Sequence, residues 1–302
     1  MSDTQRDTQR DTQHGATGVP YRPAGSAHRW LAAAAAAAAL VLSLLTATTT
    51  SAFTARLTNT TNTTASAPFF TCTGADTAVG PAATTFLYRL QESAGTTAAD
   101  TSGNNRPGTY TASGVTYNQP GPCPRDTGRA ITLDGTTGYI SGPATAQPGP
   151  GAFSVEMWFK TTTTRGGKLI GYGNSATGNS TNYDRHVYMS NTGQVYFGVY
   201  PNTVKTIATT TAYNDGTWHH VAATLSPTAG MALYLDGQLA ATDTTTTTAQ
   251  TYTGFWRIGD DNLNGWTNQP TSTFFAGSLA YTAAYTTVLT PTQIRDHYTA
   301  GR

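Results

Sequence analysis

The chain has 302 residues, a formal net charge of +1, and charged side chains at 11% of positions, against about 25% in an ordinary globular domain. With that near-zero net charge and Lys occurring only three times, nothing resembles a basic patch for nucleic acid. Aromatic residues at 10%, set in short alternating apolar runs, exclude a disordered chain. What remains is a Thr- and Ala-rich composition suited to extracellular β structure.

Residues 1–29 are polar and open on the repeat DTQRDTQRDTQ, which reads as a cytoplasmic leader. The apolar run WLAAAAAAAALVLSLL follows from Trp30 to Leu45, behind Arg22, His28 and Arg29, with small residues at Thr50 and Ala52. Residues 30–52 are therefore either a signal-peptide h-region cleaved after Ala52 or an uncleaved membrane anchor. The strongly apolar part falls short of the roughly 20 residues a span requires, which favours cleavage. In both readings the arginines stay inside and residues 53–302 are exported, to the medium or the cell surface. Residues 53–84 form a Thr-rich lead-in with room for one strand. Cys72 and Cys123 are the only cysteines, and an even pair in an oxidising compartment reads as one disulfide.

From Phe86 onward, strand-like runs recur between turn signals: FLYRL, YISG, FSVEMWF, KLIGYG, HVYMS and QVYFGVY. Phe153, Val155, Met157 and Phe159 fall on one face of their strand, with Ser154, Glu156 and Trp158 on the other. Many short strands at regular spacing predict an all-β sandwich or barrel. In NDGTWHHVAATL, Trp218 and His220 share a face and His219 lies opposite, so the adjacent histidines do not converge on one metal. In LYLDGQLAA, Asp236-Gly237 predicts a two-residue type I′ hairpin. The tail TPTQIRDHYTAG predicts a short helix: Thr290 as N-cap, Pro291 at the first position, Gln293 closing a capping box, Gly301 at the stop. Ile294 and Tyr298 then face the sandwich.

The order FSVEMWFK, DGTWHHVAATL, MALYLDGQLAA, WRIGDDN, FFAGSLA and TPTQIRDHY resembles the laminin-G-like domains of the concanavalin A-like superfamily, in its bacterial secreted branch. The resemblance covers residues 85–302. It implies a jelly-roll β-sandwich of two antiparallel sheets with a short C-terminal helix, here preceded by the N-terminal signal or anchor helix. It also implies that the Trp-His-His stretch belongs to the core.

Some relatives in that superfamily are glycosidases, which need paired carboxylates. Only Glu92 and Glu156 are present as glutamates. They are far apart in sequence and in no acidic cluster, and no catalytic residue is assigned. In DDNLNG, Asp260, Asp261, Asn262 and Asn264 precede Gly265 in an oxygen-rich turn of the kind that holds calcium. The resemblance implies calcium on the sandwich rim, although this chain has SLAYTAAY where many relatives carry acidic residues. Tyr183, Asp184, Arg185 and Trp266 lie in expected loops and offer sugar-binding chemistry, because aromatic faces stack on sugar C–H surfaces while polar neighbours meet the hydroxyls. The expected function is an exported, non-catalytic module that binds a glycan or another surface polymer, with calcium as a possible ligand. The alternative is a structural or adhesive surface protein acting through protein–protein contact. SAFTARLTNTTNTTAS, which resembles the mature start of secreted matrix-fibre proteins, keeps the alternative open.

Overall fold

Period-two alternation dictates sheets, and a computed structural model shows two of them. It describes residues 69–126 and 128–302. The leader, the signal or anchor segment and residues 53–68 lie outside the described residues.

The first sheet runs, in spatial order, β15 (Gln238–Asp243), β14 (Gly230–Leu235), β13 (His219–Ser226), β8 (Phe153–Lys160), β17 (Ala276–Tyr285), β5 (Arg129–Asp134) and β4 (Val115–Pro120). β1 (Thr84–Tyr88) pairs with the far half of β17. The second sheet runs β12 (Lys205–Ala208), β11 (Val195–Val199), β10 (Tyr183–Met189), β9 (Gly167–Gly173), β16 (Thr253–Ile258), β6 (Ile140–Ser141), β3 (Gly108–Tyr110) and β2 (Thr97–Ala98), with β7 (Gln147–Pro148) paired to β16. Neighbouring strands pair antiparallel throughout.

The sheets face each other across one apolar core. Phe153, Val155, Met157 and Phe159 of β8 meet Ile170, Val187, Phe197 and Trp256 of the second sheet. Burial of such side chains is worth about 1.5–3 kcal/mol each. The opposite face of β8 is buried as well, because helices cover it. Helix α1 (Cys72–Thr77) and helix α2 (Pro291–Ala300) lie on the outside of the first sheet. Ile294 packs with Leu87, Ala222 and Ala283, and Tyr298 stacks on Trp158 with centroids 5.7 Å apart.

Local sequence explains both helices. Thr290 accepts from the Gln293 amide while the Gln293 side chain accepts from the Thr290 amide, a closed capping box with Pro291 behind it. Gly301 stops α2 with φ −89°, so glycine is needed there for room. A Cβ would stand 2.2 Å from Cζ2 of Trp158. The lead-in differs from the expected strand: residues 72–77 are helical, with the Thr71 hydroxyl accepting from the Gly74 amide. Cys72 and Cys123 are bonded, and the Cys123 amide donates to the Gly301 carbonyl at 3.2 Å. Both ends of the described chain are thus fastened to one place. No helix among the described residues is long and apolar enough to cross a membrane.

Candidate functional site

The outer face of the second sheet carries a row of aromatic side chains. On β11, Tyr196, Gly198 and the following Tyr200 share this face by alternation. Beside them β10 presents Tyr188, which stacks on Tyr196 at 5.2 Å, and His186. The loop after β16 folds back over the row and lays Trp266 on it. The indole fits because position 198 is glycine: a Cβ there would stand 2.3 Å from Cζ3 of Trp266. The indole is 5% exposed and meets the His186 ring edge to face at 4.4 Å. Burial, then the Lys168 charge, hold that imidazole well below the ordinary range and keep it neutral.

Where the loop meets the end of β10 a cavity of about 360 Å³ opens, within the range of small-molecule sites. Tyr183, Tyr200 and Trp266 supply its aromatic walls, and Asn182, Asn264 and Gln250 its amides. No charged side chain lines it. The Tyr183 hydroxyl donates to the Asn264 carbonyl at 2.9 Å, pinning one wall to the covering loop.

Tyr183, Asp184 and Arg185 belong to β10, contrary to the expected loop, and the last two do not line the cavity. They are 0% and 1% exposed. A register shift between Asp184 and Val187, with Arg185 at φ +53°, turns both side chains inward. The Asp184 carboxylate accepts from the Tyr200 amide at 2.9 Å and the Gln250 amide at 2.6 Å. Burial raises its pKa, with Arg185 and these amides opposing. Arg185 donates to the carbonyls of Pro150 and Gln250 and covers the Tyr172 ring. The pair therefore positions two cavity-lining residues from below.

The DDNLNG loop is turned inward too. Asp261 lies with its Oδ2 3.6 Å from the Lys168 ammonium, and both side chains are fully buried. Its Oδ1 accepts from the amides of Ser180 and Asn262. Asp260 lies 3.6 Å from the Arg257 guanidinium. Asn262 donates to the Ser180 carbonyl and accepts from the Asn264 amide. Burial lowers the Lys168 pKa to about 8 even with Asp261 opposing. Calcium asks for roughly six to eight oxygens free to converge. Here the two carboxylates face cations of the protein itself. Asn264 alone of the four expected ligands reaches the cavity.

The Trp-His-His stretch is structural on both faces. His220 stacks obliquely on Trp158 at 5.2 Å. His219 bridges Asp236 at 2.8 Å and Asp215 at 3.1 Å. Asp236 and Gly237, at φ 51° and 74°, make the expected hairpin turn.

The profile of the concanavalin A-like lectin/glucanases superfamily matches residues 134–295, from the end of β5 into α2. The chain belongs to this superfamily. Solved structures with TM-scores above 0.5, the two toxin binding domains below, agree on the fold. Domain 4 of an extracellular arabinanase from Geobacillus stearothermophilus, in complex with arabinotriose, is 20% identical with a TM-score of 0.48, covering 71% of this chain and 98% of that one. The binding domain of Paraclostridial Mosquitocidal Protein 1 is 11% identical with a TM-score of 0.53, covering 72% and 52%. The botulinum neurotoxin serotype D binding domain is 14% identical with a TM-score of 0.51, covering 73% and 52%. The chain thus spans about half the length of each toxin domain. Comparison with curated protein sequences yields no match.

Within this superfamily member, sequence reasoning reached Tyr183 and Trp266 and the structure places them together. Tyr200, Asn182 and Gln250 were missed. Tyr200 was within reach, since the period-two series Tyr196, Gly198, Tyr200 puts it on the same face. Gln250 was not, because Asp184 and Arg185, 66 and 65 residues away, bring its backbone there.

Proposed function

We propose that the chain is an exported, non-catalytic binding module that takes an uncharged glycan in the cavity between Tyr183, Tyr200 and Trp266. The observation that carries this reading is the lining itself: aromatic walls, amide donors and acceptors, and no charge. Such a surface stacks on sugar C–H faces and meets hydroxyls with amides. The superfamily's fold hosts lectins and glucanases alike and does not choose between them. The cavity argues against hydrolysis there, since no carboxylate lines it. Glu92 accepts from the Ala99 amide and the Tyr110 hydroxyl, Glu156 is buried under the terminal helices, and neither faces the cavity. The reading involves no calcium in the DDNLNG loop, because Asp261 and Asp260 already face Lys168 and Arg257. Export rests on the apolar segment 30–45 and the formed disulfide, whose chemistry belongs to oxidising compartments.

The test is a glycan array of the full chain, with and without chelator, followed by affinity electrophoresis of Tyr183→Ala and Tyr200→Ala. A defined set of neutral glycans is expected, retained under chelation and weakened at least about tenfold by either change, as loss of a stacking side chain predicts. A blank array from folded protein would sink the glycan reading and favour the adhesive one.

A further inference from the structure

The face opposite the cavity holds a second cluster that the binding reading leaves unused. Where α1 and α2 close over the first sheet they enclose Asp76 of α1, Glu156 of β8, His220 of β13 and His297 of α2, all between 1% and 6% exposed. Glu156 sits at the centre. Its two oxygens lie 2.9 and 3.0 Å from Nδ1 of His297, and Oε2 lies 3.4 Å from Nε2 of His220. The Tyr285 hydroxyl donates to Oε1. Nδ1 of His297 is 3.7 Å from Oδ1 of Asp76, while Oδ2 of Asp76 is buried with no hydrogen-bond partner.

We propose that Asp76, Glu156 and His297 form a site for a divalent transition-metal ion of the zinc class, with His220 and Tyr285 holding Glu156 in place. One donor atom from each of the three lies within 4.8 Å of the other two. With metal–ligand bonds of about 2.0–2.1 Å, tetrahedral ligands stand about 3.3–3.4 Å apart. The separations of 2.9 and 3.7 Å to His297 bracket that figure, so an ion enters with shifts of a few tenths of an ångström. The donors are imidazole nitrogen and carboxylate oxygen, a set suited to zinc, and outer partners fix the central carboxylate as metal sites require. The rival account is a metal-free ion pair of His297 with Glu156. It leaves a second buried carboxyl against the first and an orphaned oxygen with no role, which buried polar groups seldom tolerate. A bound ion would join both terminal helices to the middle of the sheet.

The test titrates zinc chloride into the chelator-stripped full chain by calorimetry and follows thermal unfolding with and without zinc. Asp76→Asn is compared in parallel, since it keeps the shape of the side chain and removes one ligand. Expected are one ion per chain, a Tm several degrees higher with zinc, and at least about tenfold weaker zinc binding in Asp76→Asn. His219→Gln, which alters a histidine outside the cluster, is expected to bind zinc as the parent chain does. Zinc binding that survives Asp76→Asn but falls with His219→Gln overturns the proposal, as does a stripped chain that binds no zinc and gains no thermal stability.

Discussion

Replacing Lys168 by Met tests whether the DDNLNG loop is held down by the protein's own charge. The ammonium is fully buried, 3.6 Å from Asp261 and 3.1 Å from the Asn262 carbonyl. Methionine fills similar volume and leaves the Asp261 charge uncompensated in the interior. Removing one partner of a buried pair costs about 3–5 kcal/mol, against about 5–15 kcal/mol for the whole stability of a domain. Adding Asp261→Asn removes the orphaned charge, while the amide oxygen still accepts from the Ser180 and Asn262 backbones. The double variant should therefore be more stable than Lys168→Met alone by about 1–3 kcal/mol. Urea unfolding followed by tryptophan fluorescence, in calcium and in chelator, measures both. The reasoning fails if Lys168→Met costs less than about 1 kcal/mol, if the second change adds to the loss, or if calcium stabilises the parent chain and that gain disappears with Asp261→Asn.

Two further outcomes follow from buried groups elsewhere. The His186 imidazole is held neutral, first by burial and then by Lys168, with its folded pKa well below the ordinary 6.5. Below that pH the unfolded chain binds one more proton than the folded one. Stability should thus fall toward acid with a contribution of about 1.4 kcal/mol per pH unit. His186→Leu should flatten the difference between pH 7 and 5, and an unchanged slope would count against a neutral His186. Gly301→Ala drives a methyl to within 2.2 Å of the Trp158 ring and should cost about 1–3 kcal/mol, a Tm drop of roughly 3–10 °C. A calorimetric Tm unchanged within a degree would mean that α2 docks more loosely than its packing implies.

The elements most legible in the sequence are those specified by neighbours along the chain. Thr290-Pro291 with Gln293 writes a helix start, Asp236-Gly237 writes a turn, and the period of Phe153, Val155, Met157 and Phe159 writes an inward face. Cys72 and Cys123 were legible from compartment and count. Features set by distant partners are harder to read. Asp261 offers itself as a calcium ligand in the sequence, while the fold brings Lys168, about ninety positions earlier, beside it. Asp184 and Arg185 look like loop residues because Asn and Thr flank them. They are strand residues whose side chains are turned inward by a local break in register. Residues 72–77 carry only Ala and Gly with small polar neighbours, so propensity did not mark them as a helix. Their contacts with α2 and the disulfide hold them there.

The bond from the Cys123 amide to Gly301, beside the disulfide to Cys72, has a topological consequence. Cys72 and Gly301 are both fastened beside Cys123 on the helix-covered face, and the aromatic cavity opens on the other. A pull between Cys72 and Gly301 meets the disulfide and the Cys123–Gly301 bond first. Such tension would run through the disulfide and the α2 docking, leaving the second sheet outside the load path. Tyr183, Tyr200 and Trp266 would then keep their spacing under that pull.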